Sequence, residues 1–354
     1  GHSALHSSLI PMPGARLPLP ALRGGFLALL AAVLFGISTP LIQQLGVGLG
    51  ALTTASMLYA GAVAAGVLSL RSASREAKLE RSDVPRLLLV ALLGAVIGPV
   101  ALAWGLQHTS GTGASLMLTL EALFTVVLAR FLYGETADRR VWIAMLLLLA
   151  GGITLVLGLG GAGRNQLLGL LAVLIATAAW GADNALSRAL AERDPGQVIL
   201  GKALLGAVAT AVMALFFGDS LPSLGAALAL VAIGATGYGL SLRFYLLAQR
   251  AFGAARTGSV FAFAPFIGAG LAISLGDRSG SWTMLLAGAL MVSGVVLHLA
   301  ESHAHEHLHE QLEHEHAHSH DDGYQDQIHP DIPDGAHSHR HTHIQHRQPP
   351  AHVP

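Results

Sequence analysis

Two stretches of the chain resemble each other at an offset of 142 positions: GETADRRVWIAMLLLLAGGITLVLG (residues 134–158) and GDRSGSWTMLLAGALMVSGVVLHLA (residues 276–300). The aligned landmarks are Gly134 with Gly276, Glu135 with Asp277, and Gly152 with Gly294. In both stretches a polar turn leads into a long apolar segment. These shared positions predict two related halves, with chance similarity between helices rich in Ala, Leu and Gly as the alternative.

The composition is that of a membrane protein. Of the 354 residues, 53% are hydrophobic and only 12% are charged, whereas soluble domains have about 25% charged residues. A membrane-spanning helix needs about 20 mostly apolar residues. A large soluble helical protein is the alternative, but it would need polar outer faces that these segments lack. We therefore predict an all-α membrane protein with ten transmembrane helices, at residues 24–44, 50–70, 86–106, 111–133, 140–158, 166–190, 197–217, 224–248, 255–275 and 282–299.

The distribution of Lys and Arg predicts the orientation of the chain. With the N-terminus in the cytoplasm, 18 of the 20 basic residues fall on the cytoplasmic side, and only Arg164 and Arg278 fall outside. This asymmetry follows the positive-inside rule, and an even number of spans brings the C-terminus to the same side. We expect a multi-pass protein of the inner (plasma) membrane with both termini in the cytoplasm.

Five spans in each half make the second half inverted relative to the first, because an odd number of crossings reverses the direction of the chain. Inverted repeats of this kind are typical of secondary transporters, whose substrate site lies near the midplane between the halves. The predicted organisation is a flexible lead-in (1–23), a first five-helix repeat (24–158), a second five-helix repeat (166–299) and a C-terminal tail (301–354).

The two halves resemble the EamA repeats of the drug/metabolite transporter superfamily over about residues 24–299. The residues that carry the resemblance are Gly134-Glu135 and Gly276-Asp277 at the turns, Glu121-Ala122, which keeps the acid of the family's Glu-Pro pair, and Ala264-Pro265, which keeps its proline. The resemblance implies export of small solutes, commonly by exchange with protons.

Glu121 and Asp183 are the two acids that fall well inside predicted spans. An ionisable group at the bilayer centre costs about 2.5–3.5 kcal/mol on insertion scales, so each acid is a functional candidate. A carboxylate there can hold a cation or a proton but not both, which is the minimal requirement for exchange transport. The alternatives are structural: Glu121 bonded to a hydroxyl such as Thr119, and Asp183 paired with Lys202 or Arg243. We expect those two bases to snorkel towards the interface.

Several polar residues on the spans are candidates to line a cavity between the halves. Side chains of this kind also connect membrane helices by ordinary hydrogen bonds, and that is the alternative role. The candidates are Ser38, Thr39, Gln43, Thr119 and Asn184.

The tail, residues 301–354, contains 15 of the 19 histidines, mostly in the pattern His-X-His. Its composition cannot bury a core, so we predict a disordered His-rich tail. Imidazole suits Zn, Cu and Ni, and a chain without cysteine has no thiolate metal site. The expected ligands for Ni²⁺, Co²⁺ or Zn²⁺ are His303, His305, His307, His309, His314, His316, His318 and His320. A tail whose charge simply follows pH is the alternative.

A cytoplasmic metal-binding tail on an exporter resembles the nickel/cobalt-resistance members of the superfamily. This resemblance implies efflux of Ni²⁺ or Co²⁺ by proton exchange, with no tightly bound cofactor. The alternatives are an exporter of a small metabolite or amino acid whose tail senses metal or pH, and a metal sensor without transport. We expect the lipid bilayer and a small solute as partners, a homodimer as one candidate assembly, no nucleic acid and no enzymatic activity, because the sequence has no nucleotide loop or nucleophile triad.

Overall fold

The computed structural model describes residues 19–69, 78–134, 138–158, 163–187, 190, 193–252, 254–305, 313–318 and 337–342. The chain divides into two units, one that ends at His303 and one that begins at Ala304. The first unit is helical and contains the candidate site. The second unit contains the described part of the tail.

The helices of the first half are α1 (Leu19–Leu45), α2 (Ala51–Ser69), α3 (Val84–Ala91), α4 (Gly98–Leu106), α5 (Gly111–Met117), α6 (Glu121–Tyr133) and α7 (Arg139–Leu157). Those of the second half are α8 (Arg164–Ser187), α9 (Pro195–Phe217), α10 (Leu224–Ile233), α11 (Ser241–Phe252), α12 (Ala254–Phe261), α13 (Ala264–Ser274) and α14 (Trp282–His305).

Some spans change helix type partway along. A π-helical segment at Leu92–Ile97 joins α3 to α4, a second at Gly234–Leu240 joins α10 to α11, and a 3-10 turn at Leu118–Leu120 joins α5 to α6. The two π segments begin 234 − 92 = 142 residues apart, which is the offset that relates the two quoted stretches. π turns are rare and frequently lie at functional sites, so their neighbours are the first place to look for polar groups.

Within the described residues, nine helical stretches are long and apolar enough to cross a membrane. The ninth predicted span, 255–275, is not among them, and the prediction of one continuous helix there was wrong. The segment is broken into α12 and α13 just before Pro265. Proline has no N–H to donate and its ring clashes with the preceding turn, so a new helix starts at this point.

Helices of the two halves pack against each other throughout the bundle. Helix α1 contacts α11 and α13, α2 contacts α9 and the second π segment, and α8 contacts α4 and α6. Alanine makes up much of the buried surface. Small residues let membrane helices approach closely, since lipid offers no hydrophobic force to drive them together. Polar groups on the facing sides therefore meet partners from the other half.

The described part of the tail contains two short strands, β1 (Glu313–His318) and β2 (His337–Thr342), which pair antiparallel. The described residues of the membrane-spanning unit are helical, as predicted for that unit, and α14 continues to His305, whereas these tail residues form strands. The physical reason is that alternation with period two is a strand pattern. The Cα partners are Glu313 with Thr342, His314 with His341, Glu315 with Arg340, His316 with His339, Ala317 with Ser338 and His318 with His337.

Candidate transport site

The fourth span changes its packing at Glu121. Every residue from Gly111 to Leu120 is buried, whereas no residue of α6 is buried. Glu121 is the first residue of α6. Its carboxylate therefore lies where a tightly packed segment meets a more open one.

Asn184 on α8 is the hydrogen-bond partner of Glu121, and its Nδ2 donates to Oε1 over 2.5 Å. The two helices approach closely because Gly181 has no side chain. A Cβ at this position would lie 2.5 Å from Cβ of Phe124 and 3.1 Å from the backbone oxygen of Glu121. The hydroxyl of Thr125 donates to the same backbone oxygen over 2.9 Å. The structure thus brings Glu121 and Asn184 together across a tight helix crossing.

Asp183, the neighbour of Asn184, is buried and forms an ion pair with Lys202 of α9. The ammonium of Lys202 donates to Oδ2, and the hydroxyl of Ser187 donates to Oδ1 over 3.1 Å. Lys202 was expected to snorkel towards the interface, and the structure shows it in the alternative role, paired with Asp183. A buried carboxylate needs a compensating charge, and Lys202 provides it.

Gly94, in the first π segment, makes room for this ion pair. A Cβ at Gly94 would lie 2.1 Å from Oδ2 of Asp183 and 2.8 Å from Nζ of Lys202. Its backbone oxygen accepts two hydrogen bonds, from the hydroxyl of Tyr59 over 2.6 Å and from Nε1 of Trp180 over 2.9 Å. Sequence reasoning missed Gly94, Tyr59 and Trp180. The available signal was that a buried Trp or Tyr needs a partner for its polar atom.

Aromatic rings from both halves cluster beside these groups. Tyr238, in the second π segment, lies 5.7 Å from Tyr59 and 6.4 Å from Trp180 between ring centroids. Phe35 of α1 contacts Trp180 at 6.3 Å and Tyr238 at 5.9 Å. These four rings are called the aromatic cluster below. Tyr238 of the second π segment packs against Tyr59 and Trp180, and these two side chains bond the backbone oxygen of Gly94, which lies beside the ion pair.

The hydroxyl residues predicted to line the cavity are bonded within their own helices where the bonds are described. Ser38 and Thr39 are buried in α1, and the hydroxyl of Ser38 donates to the backbone oxygen of Phe35 over 2.6 Å. Thr119 is buried, and its hydroxyl donates to the backbone oxygen of Leu116 over 2.8 Å. Thr119 therefore bonds its own turn, and Glu121 is bonded to Asn184.

Gln43 lies away from Glu121 and Asp183, at the predicted external end of the bundle. Its Nε2 donates to the backbone oxygens of Leu106 over 3.2 Å and Thr109 over 2.8 Å. It borders a cavity of about 270 Å³ whose lining includes neither Glu121 nor Asp183. The lining residues are Pro40, Gln43, Gln44, Ser110, Gly111, Ala272, Leu275 and Asp277.

Asp277 is one of the residues that line this cavity. Its Oδ2 accepts from the backbone N–H and the hydroxyl of Thr112, both over 2.8 Å, and its Oδ1 accepts from the backbone N–H of Ser279 over 3.0 Å. Partial burial alone would raise the pKa of Asp277, but the hydrogen bonds from Ser279 and Thr112 outweigh it and lower the pKa. The ionised carboxylate thus holds the loop of the second half against α5 of the first.

Asp277→Asn is expected to lower the thermal unfolding temperature in detergent at about pH 7. A carboxyl whose pKa falls on folding contributes stability above its unfolded pKa of about 4, and that contribution is lost as the pH drops through the lower folded value. The difference from the parent protein should therefore stay constant down to about pH 5 and shrink in stronger acid. Thr112→Val, which keeps the backbone donor, is the matched control and should have the smaller effect. A difference that widens on acidification would contradict this account.

The predicted metal ligands of the tail are only partly described. His303 and His305 lie in α14, and His314, His316 and His318 lie in β1. The remaining three, His307, His309 and His320, lie outside the described residues. In the described parts of the chain, no group of three or more His, Asp or Glu side chains is placed to hold a metal ion.

Known proteins resemble this chain in sequence and in fold. The sequence matches the EamA-like transporter family over residues 22–157 and again over residues 167–300. A relative from Methanothermobacter thermautotrophicus, described as an uncharacterized transporter, is 28% identical over 233 residues, which cover 64% of this chain and 68% of the relative. A solved crystal structure that is 22% identical shares the fold, with a TM-score of 0.56 over 78% of this chain and 97% of that chain.

Together with the apolar helices, these matches indicate a multi-pass membrane transporter and not an enzyme. Such a protein contacts the lipid bilayer and a small substrate. The chain belongs to the EamA-like transporter family of the drug/metabolite transporter superfamily.

Proposed function

We propose that this protein is a secondary-active exporter that exchanges a small organic solute, such as a metabolite or amino acid, for protons. The observation that carries the proposal is the pair of adjacent polar contacts that α8 makes with its neighbours in the membrane-spanning unit, Asn184 with Glu121 of α6 and Asp183 with Lys202 of α9. Charged groups in this position are costly and usually serve transport. Helices of both halves meet around them, as expected for a site between repeats.

The two acids differ in what compensates their charge. Asp183 has the ammonium of Lys202 as its partner, whereas Glu121 has the neutral amide of Asn184. Glu121 is therefore the acid that gains most from binding a proton or a cationic group of the solute. We assign the exchange step to Glu121: when it is protonated the cationic group leaves, and when it is ionised the cationic group binds.

Alternating access would come from two inverted repeats with both termini in the cytoplasm. This arrangement is supported by the strong bias of Lys and Arg to one side and by two structural landmarks at the same offset. The π segments begin at Leu92 and Gly234, and Gly134 and Gly276 are both in the left-handed backbone region, with φ of +66° and +103°. On this orientation the open segment α6 faces the cytoplasm, where the solute would enter.

An organic solute fits the core better than a bare metal ion does. The aromatic cluster adjoins the polar groups, and Lys202 repels a cation that approaches Asp183. Pockets for small molecules typically combine aromatic walls with a few placed polar groups. The site has this composition.

A second candidate function is efflux of a divalent transition metal, Ni²⁺, Co²⁺ or Zn²⁺, as the tail suggests. The specific observation that favours it is the register of β1 and β2, in which three histidines of one strand have histidines as Cα partners on the other. Imidazole is a common ligand for these ions. In this case the tail would capture the ion in the cytoplasm before transport.

The test is solute-driven proton movement in inverted membrane vesicles with an acidic lumen. Addition of a transported solute should alkalinise the lumen, which a pH-sensitive dye follows, and Glu121→Gln should abolish the response. Glu80→Gln, which neutralises an exposed acid that lies outside the site, is the matched control and should respond normally. The probes are the twenty common L-amino acids and, separately, NiCl₂ and CoCl₂. Coupling that survives in Glu121→Gln would overturn the proposal, and a response to the metals alone would establish the second candidate.

A further inference from the structure

We infer that Lys202 is the anion-binding residue of the transport site, and that its ammonium exchanges Asp183 for the carboxylate of the solute. The carrier would then select solutes that have a carboxylate beside a cationic amine. This inference rests on the proposed export of a small organic solute and names its chemical class. It also gives a role to a side chain that was expected to lie at the interface.

The accessibility of the two partners favours an exchange in which Lys202 moves. The side chain of Lys202 is 21% exposed and that of Asp183 only 5%. An ammonium on a flexible four-carbon stem can reorient at low cost, whereas the carboxylate is fixed within α8. Lys202 is therefore the member of the pair that an arriving solute can reach.

Asp183 keeps a partner when Lys202 leaves. The hydroxyl of Ser187, one helical turn along α8, donates to Oδ1, the oxygen that Lys202 does not use. Breaking an ion pair costs less free energy when the carboxylate keeps one hydrogen bond than when it loses every partner. The local structure thus lowers the penalty for breaking the ion pair.

Gly94, which has no side chain, leaves space for the ion pair between Asp183 and Lys202. The bare Cα of Gly94 is the surface against which Asp183 and Lys202 lie. Tyr59 and Trp180 hold the backbone of this π segment in place by bonding its carbonyl group. The ion pair therefore sits beside a fixed backbone wall, and no side chain stands between it and that wall.

Charge balance identifies the class of solute. Glu121 is joined to Asn184, the residue next to Asp183, so an acceptor for an ammonium group lies close to the donor for a carboxylate. A zwitterion satisfies both at once and adds no net charge to the bilayer core. A divalent cation has no anionic group that Lys202 could bind. An amine without a carboxylate would leave Lys202 paired with Asp183.

A purely structural ion pair makes a different prediction from a binding residue. Removal of one member of a structural pair leaves an unpaired buried charge, and removal of both members restores stability. For a binding residue, Lys202→Met removes the preference for a solute with a carboxylate, and the double variant Asp183→Asn/Lys202→Met does not restore it. Asp183→Asn alone frees Lys202 from its competitor and should increase the affinity for the carboxylate.

The experiment measures binding to the full-length purified protein in detergent, by the thermal shift that each of the twenty common L-amino acids produces. For each amino acid that binds, its amide and its deaminated acid are then compared. We expect the zwitterion to bind at least about tenfold more tightly than the amide, as for loss of one charge-assisted hydrogen bond. We expect this preference to disappear in Lys202→Met and in the double variant, and to persist in Lys202→Arg.

Three results would overturn the inference: no shift with any amino acid, equal binding of zwitterion and amide, or full binding by the double variant. Because this assay needs neither a membrane nor a proton gradient, its failure is separate from failure of the proposed exchange at Glu121. Loss of coupling in Glu121→Gln together with unchanged Lys202→Met binding would retain the exporter and remove the role of Lys202. A protein that fails to fold is recognised by its elution on size exclusion, and Lys202→Arg then provides the comparison.

Discussion

Gly94→Val is expected to abolish transport. Even the first carbon of the new side chain would lie 2.1 Å from Oδ2 of Asp183 and 2.8 Å from Nζ of Lys202, closer than atoms approach without a bond. The ion pair must then separate or move, and the π segment must shift away from Tyr59 and Trp180. The measurement is solute-driven proton movement in inverted vesicles, with the amount of inserted protein determined in parallel.

The matched control for this variant is Gly270→Val, in helix α13. No atom lies within 4 Å of a Cβ at Gly270, so the same substitution should leave transport near the parent level. If Gly94→Val transports normally while it is inserted in normal amounts, the ion pair does not depend on the bare Cα. That outcome would also remove the fixed wall on which the assigned role of Lys202 depends.

Gly181→Ala is expected to destabilise the protein strongly for so small a change. The new methyl group would lie 2.5 Å from Cβ of Phe124 and 3.1 Å from the backbone N of Thr125, so α6 and α8 would be pushed apart. Overpacking of this kind costs about 1–3 kcal/mol. The same movement stretches the hydrogen bond between Glu121 and Asn184, so we expect both a lower unfolding temperature and weaker coupling.

The matched control for Gly181→Ala is Gly225→Ala, which is not expected to lower the unfolding temperature. At Gly225, in α10, nothing lies within 4 Å of the place that a new methyl group would occupy, and alanine is favoured over glycine in a helix by up to about 1 kcal/mol. Gly225→Ala should therefore leave the unfolding temperature unchanged or raise it. Thermal unfolding followed in detergent checks both variants, and equal effects at the two positions would show that the helix crossing is not tight.

The polar centre of this protein could be predicted from the sequence, but its arrangement could not. Glu121 and Asp183 could be selected because an acid in an apolar span is costly, and Asn184 because it is a polar residue on such a span. The pairing of Asp183 with Lys202 was considered but not preferred, because a lysine near a span end usually reaches the headgroups. Whether Lys202 pairs with Asp183 or extends to the interface depends on the distance between α8 and α9. That distance cannot be predicted from the spacing of residues along the chain.

Breaks within helices were the other feature that sequence reasoning did not predict. The span that contains Pro265 was predicted as one helix, because hydropathy continues across the break. Neither π segment was predicted: LLGAVI is as apolar as its flanking turns, and the glycine-rich GATGYGL lies within a single predicted span. Tyr59 and Trp180 bond the first π segment and Tyr238 lies in the second, so the aromatic cluster could not be assembled from the sequence alone.

The π segment at Leu92–Ile97 makes the geometry of its span sensitive to chain length. The segment already holds more residues per turn than an α-helix does, because its hydrogen bonds run from i to i+5. Each further residue in a helix advances the rotation by about 100°, so insertion of one more residue here would turn everything after it, including Gly98, to a new direction. Nε1 of Trp180 lies 2.5 Å from the position of a Cβ at Gly98 and would lose that flat surface. Insertions in the surface loops of this carrier should therefore be tolerated in evolution, whereas a single-residue insertion in this segment should not.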